Sequence, residues 1–214
     1  MAGLISRFFS ASDEQLMWRV KLQDDHQAFN LLMERWQGPI RNLCLRMLGD
    51  SHEAEDLCQT AFARVFASRA RWEPAAKVST FLWRIALNLC HDQLRKHRRR
   101  GEFSLEGLED GVCEGEPTLA DGGPGPDSQL EASESAALVR QALLRLDPIY
   151  RETVVLRHYE GLKFCEIAQV LKIPEGTVKS RMAEGLSQLR KLLNNLKDEP
   201  LCKNKTQNRV MIAL

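Results

Sequence analysis

The chain has 214 residues, 43% of them hydrophobic, enough for one large or two small cores, and its 30 basic and 29 acidic residues nearly cancel to a formal charge of +1. No run reaches the roughly 18 apolar residues of a membrane span, and Ser6 and Arg7 interrupt the apolar start made by Leu4, Ile5, Phe8 and Phe9, so neither membrane insertion nor a secretory signal is expected, and the spacing of the six cysteines does not suggest a metal centre. Split by segment, the charge is uneven: residues 26–100 hold 13 Lys/Arg against 7 Asp/Glu, residues 136–197 hold 11 against 6, and residues 101–135 hold ten acids and no base.

Ser12 with Gln15 forms the pattern of a capping box that opens a short helix. A longer helix is predicted over residues 25–48, where Phe29, Leu32, Met33, Trp36, Ile40, Leu43, Met47 and others recur at the 3,4 spacing of one buried face. Gly38 and Pro39 should bend it, and Gly49 stands where a helix C-cap belongs. A third helix over 51–69 carries Ala54, Leu57, Cys58, Ala61, Phe62, Val65 and Phe66 on one stripe and Glu53, Asp56, Gln59 and Thr60 on the exposed side. After a loop of Arg71, Trp72, Glu73 and Pro74, Ser79 or Thr80 can cap a fourth helix that buries Leu82, Ile85, Ala86 and Leu89. The spacing then sends Trp83, Leu87, Asn88, His91, Asp92 and Arg95 away from that stripe, ahead of a basic end made by Lys96, Arg98, Arg99 and Arg100. Aromatics stack on unpaired bases, Asn and Asp bond base edges, and a basic run holds phosphates, which together suit single-stranded or melting DNA. The plainer alternative is a core Trp83 and a solvated helix end.

Residues 101–135, rich in Gly, Pro, Glu and Asp, read as a flexible acidic linker. Beyond it Asp147 and Pro148 read as N-cap and first-turn proline, Gly161 ends that helix, and Ile173 and Pro174 separate two short helices in helix-turn-helix spacing. Small Ala168 lets the pair approach, and Ile167, Leu171, Ile173 and Val178 can form its core. Glu175, Thr177, Lys179, Ser180, Arg181, Ala183 and Glu184 are left to face outward, where the second helix of such a motif meets the major groove. Either DNA reading or a DNA-free packing module fits this pattern. The net charge of +5 over residues 136–197 favours DNA. The expected fold is all-α: an N-terminal helical bundle over 12–100, a flexible acidic linker over 101–135, a C-terminal helix-turn-helix domain over 136–196 and a tail over 197–214.

Three blocks resemble the extracytoplasmic-function group of bacterial RNA polymerase sigma factors: Glu55-Asp-Leu-Cys-Gln59 with Phe62-Ala-Arg-Val-Phe66, then Phe81-Leu-Trp-Arg-Ile-Ala-Leu-Asn88, then Pro174-Glu-Gly-Thr-Val-Lys-Ser-Arg181. The resemblance covers about residues 12–100 and 136–195. It implies a sigma domain 2 followed by a sigma domain 4, a core RNA polymerase contact at Glu55, Asp56, Gln59 and Thr60, and capture of the melted −10 element by Trp72, Trp83, Asn88, His91, Asp92, Arg95, Lys96, Arg98 and Arg99. It further implies a duplex −35 reader at Thr177, Lys179, Ser180, Arg181, Ala183 and Glu184 and an anti-sigma partner; the scattered cysteines and the lack of a signal or membrane run lead to the expectation of a cytoplasmic protein, with no cofactor or metal expected. The acidic linker either threads toward the polymerase cleft or is a passive tether. Relatives often carry glutamate at the place of Thr60, a departure that bears on the polymerase contact, and a large or basic pair at the place of Ala183 and Glu184, so −35 reading is expected to be weaker or differently specified here. The competing class is a stand-alone helix-turn-helix regulator. An enzyme is not expected, since no P-loop, nucleophile elbow or zincin motif is present.

Overall fold

A computed structural model describes residues 11–73, 77–101 and 126–198, which form eight α-helices and, among the described residues, no strand. Most of the expected linker, the C-terminal tail, Pro74, Cys113 and Cys202 lie outside the described residues.

Helix α1 (Asp13–Gln23) starts with the expected capping box: Ser12 Oγ accepts from the Gln15 amide at 3.2 Å, and Gln15 Oε1 accepts from the Ser12 amide at 3.0 Å. Asp13 also accepts from Arg35 at 2.9 Å and from the Trp36 indole at 2.8 Å, tying α1 to α2 (His26–Leu48). Asp25 caps α2 by accepting from the Gln27 and Ala28 amides, and the helix runs on through Pro39 to Gly49. Gly49 has φ +87°, the left-handed C-cap that favours glycine. Helix α3 (Ser51–Ala67) is capped by Asp50 and gives way to a 3₁₀ turn at Arg69–Arg71. Helix α4 (Val78–Arg100) begins one or two residues before the expected caps. Lys77 takes the N-cap position with no side-chain capping bond, Ser79 and Thr80 lie inside the helix, and Thr80 is buried.

α2 is the spine of this N-terminal body and packs on α1, α3 and α4, with Leu16, Leu43, Met47, Phe62, Val65 and Ala86 among the buried side chains. Burying such side chains contributes about 1.5–3 kcal/mol each against the chain entropy they lose. Cys44 and Cys90 meet in this core, 3.7 Å apart.

The second body begins with α5 (Pro126–Arg145), which reaches ten residues into the stretch expected to be linker. Proline is compatible with a first helical position because the amide it lacks would be unpaired there. Asp147 caps α6 (Pro148–Val154), which continues into a π-helical turn at Val155–Tyr159 and ends before Gly161 at φ +68°. α7 (Phe164–Leu171) turns at Lys172 (φ +57°) into the long α8 (Glu175–Asp198). A side chain on Gly185 of α8 would come within 3.2 Å of Val154 and 3.3 Å of Tyr150, so this glycine lets α8 lie close on α6.

The two bodies touch. α7 packs on α4, and α5, α6 and the π turn pack on the C-terminal end of α2, so the apolar core is continuous across both.

Candidate nucleic-acid interface

The exposed side of α3 carries Glu55, Asp56, Gln59 and Thr60, all open to solvent, while Ala54, Cys58, Ala61, Phe62 and Val65 point into the core. Glu55 pairs with Arg41 of α2 at 3.0 Å, and the Thr60 hydroxyl donates to the Asp56 carbonyl at 2.8 Å. Glu53, read as exposed, is instead half-buried: its Oε1 accepts from Gln93 at 2.9 Å and lies 2.7 Å from His97, so His97 is a bonded side chain of α4 and not a solvated one.

On α4, Asn88, Asp92, Arg95, Lys96, Arg98 and Arg99 are exposed, and Asp92 lies 3.5 Å from Arg95. Asn88 opens onto a surface hollow of about 380 Å³ lined also by Arg64, Ala67, Ser68, Arg71 and Ile85. The hollow has an apolar wall, an amide and two guanidinium groups at its edge, a combination that accepts a planar base with its phosphate. Arg64 and Arg71 were not singled out from the sequence. Both bracket the end of α3, and their convergence on Asn88 depends on the 3₁₀ turn that folds Arg71 back.

Two aromatics expected at the −10 surface, Trp83 from the helical spacing and Trp72 from the resemblance, are buried. Trp72 is 2% exposed and packed in the N-terminal core, with Lys21 Nζ donating to its carbonyl at 2.6 Å. Trp83 is 3% exposed, its ring edge-on to Trp36 at 5.5 Å, and Leu87 is 2% exposed. An indole removes about 200 Å² from water when buried, which outweighs the preference of an isolated helix face. Trp83 is held against α2 by Trp36, and the two rings line a cavity of about 330 Å³ whose other wall is Glu160, Gly161, Leu162 and Glu166. In this arrangement neither tryptophan can stack on a base. His91 is also covered, with Nε2 2.9 Å from Glu152 without hydrogen-bond alignment.

The helix-turn-helix is α7 and α8, with Ile167 and Val178 fully buried between them and Leu171 and Ile173 packed beside them. Lys179, Ser180, Ala183 and Glu184 are exposed and Thr177 is half-buried. Lys179 pairs with Glu175 at 2.8 Å, Ser180 donates to the Thr177 carbonyl at 3.0 Å, and Glu184 accepts from Gln188 at 2.8 Å. Arg181 departs from the outward reading: its guanidinium turns in to Glu152 at 3.2 Å, because an almost fully buried carboxylate on α6 requires a cation. No group of three metal-ligating side chains is found among the described residues.

Residues 32–100 match the family description Sigma-70 region 2, and residues 136–189 match Sigma-70, region 4. The chain is 37% identical over 174 residues to the ECF RNA polymerase sigma factor SigW of Bacillus subtilis, covering 80% of this chain and 92% of that one. It is 33% identical to the RNA polymerase sigma-H factor of Pseudomonas aeruginosa, over 86% of this chain and 95% of that one. Among solved structures, CnrH in complex with the cytosolic domain of CnrY superposes with a TM-score of 0.60 at 22% identity, over 86% of this chain and 97% of that one. RpoE of Bartonella quintana, in complex with the anti-sigma factor NepR, gives 0.58 at 22% identity over 78% and 96%. At that identity the two structures carry the fold alone.

Proposed function

We infer the roles of individual residues from one premise: the chain belongs to the extracytoplasmic-function group of the sigma-70 family of RNA polymerase sigma factors. As such a factor it binds core RNA polymerase, directs it to specific promoters and promotes melting of the DNA at initiation. Binding energy placed on melted DNA shifts the closed-to-open equilibrium, so the protein carries no bond chemistry of its own. Domain 2 occupies residues 12–100 and domain 4 residues 136–196, with a tail over 197–214. The acidic and amide face of α3, Glu55, Asp56, Gln59 and Thr60, meets core polymerase. Asn88, with Arg64 and Arg71, takes an unstacked −10 base in the hollow, and Arg95, Lys96, Arg98 and Arg99 hold the adjoining phosphates. Thr177, Lys179, Ser180, Ala183 and Glu184 face the −35 duplex, and Arg181, Trp72, Trp83, His91 and Asp92 support these surfaces from behind or beside them. An anti-sigma factor, such as the one captured on Bartonella quintana RpoE, holds the chain inactive. No described helix is long and apolar enough to cross a membrane, and the protein works in the cytoplasm, where the polymerase is.

The observation that carries this reading is the hollow beside Asn88, flanked by two guanidinium groups and followed by the exposed basic end of α4. The test mixes the chain with core polymerase on a duplex promoter and on the same promoter with a pre-melted −10 bubble. Asn88→Ala with Arg71→Ala is expected to lower open-complex formation on the duplex about tenfold, to retain core binding, and to lose less on the bubble. Unchanged open-complex formation would refute the base pocket. Operator binding without core and without any effect on initiation would favour a stand-alone regulator.

A further inference from the structure

The cavity of about 330 Å³ on the seam between the two bodies falls within the roughly 300–1,000 Å³ range of small-molecule sites. One wall is aromatic: Trp36 of α2 and Trp83 of α4 form a corner, with ring planes 80° and centroids 5.5 Å apart. The facing wall is acidic, with Glu160 after the π turn and Glu166 on α7. Both walls are held in place without a ligand. The Trp36 indole donates to Asp13 at 2.8 Å, and Lys77 at the start of α4 sets Nζ 2.6 Å from Glu166 Oε1. Elsewhere along the seam the buried Arg151 of α6 donates to the Met47 carbonyl of α2 and to the carbonyls of Leu144 and Leu146, the last at 2.9 Å. Filling a site built in advance costs little ordering of the protein.

The two carboxylates differ in how they are satisfied. Glu166 Oε1 takes Lys77, and its Oε2 accepts from the Lys163 amide at 2.9 Å. The Glu160 side chain is only 10% exposed, yet among the described residues no donor comes within hydrogen-bond distance of its carboxylate. The cation paired with it, Arg46 of α2, stands 3.6 Å from Oε1 and has its guanidinium over the Tyr159 ring, 4.2 Å from the centroid. Burial of so loosely paired a carboxylate is costly, and it raises Glu160 to about 7. We propose that the cavity is a binding site for a small organic ammonium ion, with Glu160 as its counter-charge and the Trp36 and Trp83 rings as its cage. An indole face attracts a cation, and quaternary and alkyl ammonium groups suit such a corner because their carbon shell meets the rings while their charge meets the carboxylate. An anion would be repelled by Glu160, and a neutral apolar molecule would leave it uncompensated. None of the exposed residues assigned to promoter or polymerase contact lines the cavity, so the proposal does not rest on those assignments.

The test follows the indole N–H signals of the full, nitrogen-15-labelled chain by two-dimensional NMR at about pH 8, where Glu160 is largely ionised. Each signal is assigned by replacing one tryptophan with phenylalanine. Tetramethylammonium chloride is titrated to about 100 mM, against sodium chloride at equal ionic strength and against tert-butanol, a neutral molecule of nearly the same shape. The Trp36 and Trp83 signals should move and saturate with tetramethylammonium alone, while Trp18 on the surface and Trp72 in the core stay fixed. Glu160→Gln keeps the size and removes the charge, and it should weaken binding about tenfold while the circular-dichroism signal of folded helix is kept. A wild-type chain that does not respond, that responds equally to sodium chloride or tert-butanol, or that shifts all four indoles alike would overturn the proposal without recourse to any variant. A folded Glu160→Gln chain that binds as tightly as wild type would overturn it too. Because neither polymerase nor DNA is present, failure of the promoter assay leaves this site standing, and failure here leaves the promoter roles standing.

Discussion

Cys44 and Cys90 face each other with sulfurs 3.7 Å apart, both fully buried, and Cys58 lies behind them in the same core. The shared hydrogen bond and burial push the Cys44 thiol far up, and burial pushes Cys58 up to about 12, so almost no thiolate forms near neutral pH. Alkylation of the native chain should therefore label Cys165, which is exposed, and spare Cys44, Cys58 and Cys90 until the protein is unfolded; peptide mass spectrometry reads the difference. Burial acts on Glu160 in the same direction. Burial raises it from 4.5 to about 7, with the nearby Arg46 pulling it down. The folded chain then binds a proton that the unfolded chain releases between those values, so stability is full below about 4.5 and falls as pH rises through 7. Glu160→Gln should flatten the thermal midpoint over that window, removing a slope of at most about 3 kcal/mol; an unchanged slope would show that Arg46 neutralises the group. Residues whose fate follows from helical spacing, such as Glu55, Asp56, Gln59 and Thr60 outside and Leu43 and Met47 inside, were legible in the sequence. Arg181 was not, because the carboxylate that turns it inward lies 29 residues away on another helix.

At the scale of elements, α4 is the instructive case. Its pattern gives one buried stripe through Leu82, Ala86 and Leu89, yet Trp83, Leu87 and Cys90 are buried as well, on a side where Trp83 meets Trp36 and Cys90 meets Cys44 of α2. A helix that reads as amphipathic when alone becomes two-sided when two neighbours of one bundle pack on it, and no local periodicity announces that. Its start was also misplaced: Val78 packs into the core, which draws the first turn ahead of Ser79 and Thr80 and leaves Lys77 as an N-cap without a side-chain capping bond. The π turn at Val155–Tyr159 has no sequence signature comparable to a proline or glycine, although its end at Gly161 was readable. Gly49 ties two elements together. Its φ is +87°, and a side chain there would meet Leu144 Cδ1 of α5 at 2.7 Å. Gly49→Ala should cost about 1–2 kcal/mol from the left-handed backbone alone and lower the thermal midpoint by a few degrees in calorimetry. Loss of the α2–α5 contact should add to it; a midpoint equal to wild type would mean the cap relaxes.

For the molecule as a whole, segregated charge and two helical patterns separated by an acidic stretch were enough to expect two basic bodies. Their apposition was not readable, since its contacts join side chains and carbonyls 85 to 104 residues apart. The two halves of the seam are also written in different materials. Arg151 engages carbonyl oxygens, which no substitution at Met47, Leu144 or Leu146 removes, whereas Lys77 and Glu166 depend on both side chains being present. Hybrids made by exchanging halves between relatives would keep the inner joint wherever an arginine stands at that place and lose the outer one wherever the charges no longer match. The outer edge of the seam, not its buried centre, is where such lineages can drift apart.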